Sequence, residues 1–232
     1  MALVVWVFSG GGESEVRGLI PLLERVRPDF VFERKSPVRR KPGPRPSDEP
    51  GYGRTGRSHA QQLEKLLFES LNAGGFCDVI LVIDDLDCHD ANERRELFAS
   101  SIGKVEQAAN ISFYVGFASP EIEAWIVADW DGTVATDPDF RGCHGQMRHW
   151  LSTQKAVPFS RPETFGVFDE EKDSCRDKLS DAIIEASLEC GAKSRYSKGI
   201  HTARFLGRIS PEVVSVKCPL FRELYIRLTM DD

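Results

Sequence analysis

Apolar residues in this chain come in unbroken runs, not alternating ones. Leu3 to Phe8 is continuous and ends in the turn SGGGESE, after which Val16, Leu19, Ile20, Leu22 and Leu23 recur at helical spacing. This predicts strand, glycine turn, helix. The grammar repeats with DFVFER as a short strand and a helix from about His59 to Leu71, then VILVI as a buried strand and a helix from about Asn92 to Ala109. ISFYVGFA is a further strand, running into SPEIEAWIVADW, where Ser119 reads as an N-cap, Pro120 as the first helical position and Glu121 as a partner of the helix dipole. Strands apolar throughout that alternate with helices predict an α/β fold: a mostly parallel sheet with helices on both faces.

Beyond Asp131 the pattern changes to loops and helices, with a terminal helix from about Pro219 to Met230. The expected organisation is therefore an α/β core over residues 1–131 and a helical region over 132–232 packed on it. The stretch SPVRRKPGPRPSDEPGYGRTGR is too rich in breakers for regular structure and reads as a loop. No apolar run approaches the ~18–20 residues of a membrane span, and MALVVWVF lacks the basic flank of a signal peptide, so a cytoplasmic protein is expected. The six cysteines form no C-x-x-C pair and are expected as reduced thiols.

Charge sharpens the picture. The chain carries a net −6, yet residues 34–57 hold eight basic side chains against Asp48 and Glu49. Arg39, Arg40, Lys41 and Arg45 in this loop are candidate contacts to nucleic-acid phosphates. A second basic stripe, Lys198, His201, Arg204 and Arg208, falls within one arc if SRYSKGIHTARFLGRIS is a helix.

The acids collect at strand ends. Glu13 and Glu15 follow the first strand, Asp84, Asp85 and Asp87 the VILVI strand, and Glu121 and Glu123 the third. In an open parallel sheet ligands bind beyond these ends. Carboxylates that close repel one another unless a counter-ion is present, and hard oxygen ligands suit Mg²⁺ or Mn²⁺. Asp84, Asp85, Asp87, Glu121 and Glu123 are thus the expected metal ligands, with Asp85 and Asp87 on one side if the strand continues. The alternative is that one or two of these acids cap the helix beginning near Ala91 and the rest are solvated. Gly10, Gly11 and Gly12 permit close approach of backbone to phosphate.

The glycine turn, the D-L-D of Asp85 to Asp87, the phrase PEIEAW, the segment YSK (Tyr196 to Lys198) and CPLF (Cys218 to Phe221) follow in an order that resembles the domain of unknown function 4276 family. More distantly the chain resembles Toprim-like proteins, including the overcoming-lysogenization-defect nucleases. The resemblance implies a metal-dependent nuclease acting on DNA or RNA, with Asp85 and Asp87 as ligands beside Glu121 or Glu123. It also implies an effector role in bacterial defence, and allows an ATPase partner; the sequence leaves self-association open. Toprim proteins carry a glutamate before the first glycine, whereas here Ser9 or Gly11 stands there, so Glu13 or Glu15 is the candidate acid/base. Two other readings follow: a catalytically inactive nucleic-acid-binding subunit, and a small-molecule phosphatase using Asp129 and Asp131 of the D-x-D-G-T motif.

Overall fold

The computed structural model describes residues 2–11, 13–36 and 54–230, and for 13–16 the backbone. Four parallel strands, β1 (Val4–Ser9), β2 (Val31–Arg34), β3 (Val79–Asp85) and β4 (Ser112–Ala118), form one sheet in the order β2-β1-β3-β4. The continuous apolar runs of β1 and β3, the two inner strands, follow from burial on both faces. Val5, Val7, Leu81 and Ile83 face one way, onto α1 (Glu13–Val26) and the C-terminal helices. Trp6, Phe8, Ile80 and Val82 face the other way, onto α2 (Gly56–Asn72) and α3 (Ala91–Gly103). The α/β class and the covering of both faces are as expected.

After β4 come α4 (Glu123–Ala128), α5 (His144–Gln154), a two-residue antiparallel pair β5 (Phe168–Asp169) and β6 (Ser174–Cys175), then α6 (Leu179–Glu189). Residues Lys198–Thr202 wind as a π-helix into α7 (Ala203–Leu206), and α8 (Pro211–Lys217) and α9 (Pro219–Thr229) close the chain. The single helix expected over SRYSKGIHTARFLGRIS is thus a π-turn and one short α-helix. Trp125, with no exposed surface, meets Phe221 edge-on with ring centroids 4.8 Å apart, which fastens α4 to α9. At Gly18 an added Cβ would fall 2.7 Å from Leu206 Cβ, so the glycine lets α1 lie directly on α7. No helix among the described residues is long and apolar enough to cross a membrane.

The chain leaves β1 for β2 on one side and returns to β3 on the other. The carboxyl ends of β1 and β3 therefore diverge at a topological switch point, the place where sheets of this kind bind ligands. Ser9 and Gly10 lie at one lip and Asp84 and Asp85 at the other, with Gly10 N donating to Ile83 O at 2.9 Å.

Candidate active site

The acids of VILVIDDLD separate by strand parity. Asp84 points to the α2 side, where its Oδ2 accepts from Gly56 N at 2.9 Å and its Oδ1 lies 2.9 Å from His59 Nδ1. It ties the first turn of α2 to β3, and both oxygens are engaged by the protein. Gly10 belongs to the same arrangement: a Cβ there would meet Asp84 Oδ1 at 2.1 Å and His59 Nδ1 at 2.8 Å. Asp85 is buried on the opposite, α1 side.

The strand does not run on to Asp87. Leu86 N bonds to Ala118 O and Asp87 N to Pro120 O, both at 2.9 Å, and the backbone turns left-handed with φ of 48° at Asp87 and 66° at Cys88. Asp85 and Asp87 therefore do not share a side through strand continuation. The Asp87 carboxylate instead meets Thr55 Oγ1 at 2.9 Å and Lys178 Nζ at 3.8 Å. Asp90 is the plain helix cap, accepting from Asn92 N and Glu93 N at 2.8 and 3.0 Å.

At the end of β4 the expected helix start is corrected. Ser119–Pro120 is a cis peptide, the helix begins at Glu123, and the Ser119 hydroxyl donates to Glu163 O at 3.0 Å. Glu121 precedes α4 and engages another segment: its Oε1 accepts from Ser180 N at 2.5 Å and its Oε2 from Ser180 Oγ at 3.1 Å and Lys198 Nζ at 2.9 Å. It serves as an anion at the first turn of α6, where free N–H groups favour negative charge. Glu123 has no exposed surface, and its Oε1 accepts from Thr202 Oγ1 at 2.8 Å and Tyr196 OH at 3.3 Å. Its Oε2 stands 3.2 Å from Lys198 Nζ.

One ammonium thus serves two buried carboxylates. Burial pushes the Glu123 carboxyl up, the charge of Glu121 adds to this, and Lys198 and Thr202 oppose it. The Tyr196 hydroxyl is likewise held well above its ordinary range, by burial first and by Glu123 second. The E-x-E and Y-x-K segments, far apart in sequence, form one polar cluster.

The other members of the Lys198 stripe are paired within the protein. Arg204 reaches Asp137 at 2.8 Å and Asp139 at 3.0 Å, and Arg208 reaches Asp137 at 3.3 Å. His201 is buried, its Nδ1 accepting from Ser197 N at 2.8 Å and its Nε2 lying 3.5 Å from Asp139. Burial lowers its pKa, Arg204 adds to this, and the two aspartates oppose it. Glu13 and Glu15 open α1, but their side chains, Gly12 and the loop residues Arg39, Arg40, Lys41 and Arg45 lie outside the described residues. Asp129 follows a helix and not a strand, with Oδ1 on Gly132 N at 3.2 Å and Oδ2 on Ser210 N at 2.8 Å, while exposed Asp131 pairs with Arg148 at 3.3 Å.

Beside Asp87 a cleft of about 670 Å³ opens between α2 and α3, lined among others by Thr55, Arg57, Ser58, His89 and Arg94. Thr55, Lys178, Ser180 and Thr202 escape a reading of the sequence, since no spacing marks a hydroxyl or amide brought to an acid from another element. The expectation of reduced thiols is overturned for two of the six cysteines. Cys88 and Cys175, 87 positions apart, form a disulfide with Cα atoms 5.2 Å apart.

Among the described residues no group of three or more His, Cys, Asp or Glu is placed to hold a metal ion. Asp85 and Asp87 are oxygen donors of the type Mg²⁺ or Mn²⁺ takes, such ions commonly using one or two protein carboxylates and leaving the rest to water and phosphate, although the Asp87 carboxylate is turned to Thr55 and Lys178. Glu121 and Glu123 fit less well, their charge being met by Lys198. Asp84 is closed by Gly56 and His59.

No curated protein and no solved structure matches the chain. The model of a family described as a domain of unknown function, DUF4276, matches residues 12–229, and the chain belongs to that family.

Proposed function

We propose that the protein is a Toprim-like hydrolase of phosphodiester bonds in nucleic acid, dependent on Mg²⁺ or Mn²⁺. One observation carries this reading. The carboxyl ends of β3 and β4, beside the switch point, bring Asp85 and Asp87 onto the same rim as the Glu121–Lys198–Glu123 cluster. Asp85 and Asp87 would hold the cation, which when bound polarises a phosphate and acidifies a water. Lys198 supplies a fixed positive charge, 37% exposed, whose position is set by two carboxylates that are not. A charge fixed in advance costs no reorganisation when a phosphate arrives. Glu13 and Glu15, on the first turn of α1, are the candidates to take a proton from the attacking water. The resemblance to defence effectors extends the proposal to a bacterial defence role with an ATPase partner.

The test is cleavage of labelled DNA and RNA in Mg²⁺, Mn²⁺ or EDTA, with wild type beside the Asp85→Ala/Asp87→Ala double variant. Cutting that requires both metal and aspartates supports the reading; undiminished cutting by a clean Asp85→Ala preparation sinks it.

A second reading, a catalytically silent nucleic-acid-binding subunit, is favoured by Ser9. At the end of β1, where Toprim proteins carry glutamate, this serine is buried, its N–H donating to Ser36 Oγ at 2.7 Å and its carbonyl accepting from Ser36 Oγ at 2.9 Å. Salt-dependent binding without turnover in any divalent metal is its signature.

A further inference from the structure

The Cys88–Cys175 bond joins two segments that each hold part of the rim. Cys88 directly follows Asp87 in the left-handed turn. Cys175 ends β6, and three residues later Lys178 stands 3.8 Å from Asp87 Oδ1. Two residues beyond that, Ser180 gives Glu121 both its N–H and its hydroxyl. Segment 175–180 therefore reaches both acid groups of the rim, and the disulfide fixes where that segment begins.

The β5–β6 pair is only two residues long on each side, too short to be stable alone. His89 also links hairpin and turn, with its ring 4.8 Å from that of Phe168 and its Nε2 3.1 Å from Asp173 O. Gly166, at a φ of 85°, admits the bond, since a Cβ there would come within 3.1 Å of Cys88 Sγ. The other four cysteines are free thiols, and Cys77, Cys143 and Cys218 among them are buried.

We propose that Cys88–Cys175 is a reversible thiol–disulfide site that governs the rim: oxidised, it holds Asp87, Lys178 and Ser180 in register; reduced, it releases the hairpin and lowers activity. The regulatory part rests on the hydrolase reading above. The reductant is a small or protein dithiol. One of its thiolates attacks the sulfur of Cys88, the more exposed residue of the pair, forming a mixed disulfide and expelling the Cys175 thiolate, which takes up a proton. The dithiol's second thiolate then displaces Cys88. The dithiol leaves as its cyclic disulfide, two electrons pass to the protein, and both cysteines become thiols. In reducing compartments disulfides that form at all are characteristically of this sensing kind.

The experiment compares wild-type protein purified without reductant, the same protein after dithiothreitol, and Cys88→Ser. Thiol alkylation with mass spectrometry reads the bond, and amide hydrogen exchange and nucleic-acid cleavage read its effect. The expected result is a Cys88–Cys175 cross-link in the unreduced protein. On reduction, exchange over residues 84–90 and 166–180 should be roughly tenfold faster, with cleavage about tenfold slower. Cys88→Ser should sit at the reduced level and ignore dithiothreitol. Absence of the cross-link overturns the proposal, as does a cross-link whose reduction changes neither exchange nor cleavage. Faster exchange on reduction with no cleavage by either form upholds the switch and refutes the hydrolase.

Discussion

Lys198 Nζ stands 3.2 Å from Glu123 Oε2, a carboxylate with no exposed surface, and 2.9 Å from Glu121 Oε2. Two buried acids sharing one cation are tolerable only while the cation is there. Lys198→Met should cost about 2 kcal/mol in urea unfolding at neutral pH, a figure kept below the full buried-pair range because the lysine is partly exposed. Without the ammonium the Glu123 carboxyl rises further. A carboxyl raised in the folded state contributes stability that is present at low pH and lost as pH climbs through its folded value, so the deficit of the variant should grow with pH. A deficit that shrinks with pH would show that Lys198 does not neutralise Glu123.

Asp84 and Asp85 are neighbours with opposite duties. Removing the Asp84 carboxylate leaves Gly56 N and His59 without their acceptor, so Asp84→Ala should lose about 1–3 kcal/mol. Its residual cleavage should keep the metal requirement of the wild type. Asp85→Ala should instead abolish metal-dependent cleavage. Thermal melts beside nuclease assays separate the two; equal loss of activity at equal stability would mean that both aspartates serve the chemistry.

The sheet is legible because burial on both faces leaves a mark in the chain: VVWVFS and VILVI are short, β-branched-rich apolar runs that end in turn or acidic residues. The rim was legible as a place but not as a geometry. Asp87 adopts a left-handed conformation that no glycine announced, and Ser119-Pro120-Glu121 carries the composition of a helix cap while Glu121 caps a different helix, α6. Lys198, Arg204 and Arg208 read in the sequence as one basic stripe, but the structure divides them between two acidic sites. Their partners, Glu121, Asp137 and Asp139, lie some sixty to eighty positions upstream, and only the packing of α7 and the π-turn on the core reveals which charges are already answered. The disulfide was hidden for the same reason, its halves being 87 positions apart.

Arg204 illustrates what that pairing means for nucleic acid. Its guanidinium meets both Asp137, which has no exposed side-chain surface, and Asp139, whose pKa its hydrogen bond lowers. Arg204→Ala should therefore destabilise the fold by about 1–3 kcal/mol. It should leave the slope of log affinity against log salt for DNA or RNA unchanged, because an arginine committed to aspartates displaces no counter-ions. A slope reduced by about one unit in the variant would place Arg204 on a phosphate instead.

Glu163 offers a pH test that is independent of the rim. Its carboxylate accepts from Leu220 N at 2.9 Å and Phe221 N at 3.2 Å, capping the first turn of α9 beneath the core. Burial pushes its pKa up from 4.5 to about 7, and the two backbone bonds, which favour the anion, only partly offset this. Its folded value is raised, so its stabilising contribution is complete below pH 4.5 and is lost as pH rises through about 7. Glu163→Gln keeps an acceptor for the α9 amides and cannot ionise. Relative to this variant the wild type should lose about 3 kcal/mol between pH 4.5 and pH values above 7, read from urea midpoints at each pH. Parallel profiles for the two proteins would mean that Glu163 ionises at an ordinary pKa and that the cap, not the proton, sets its contribution.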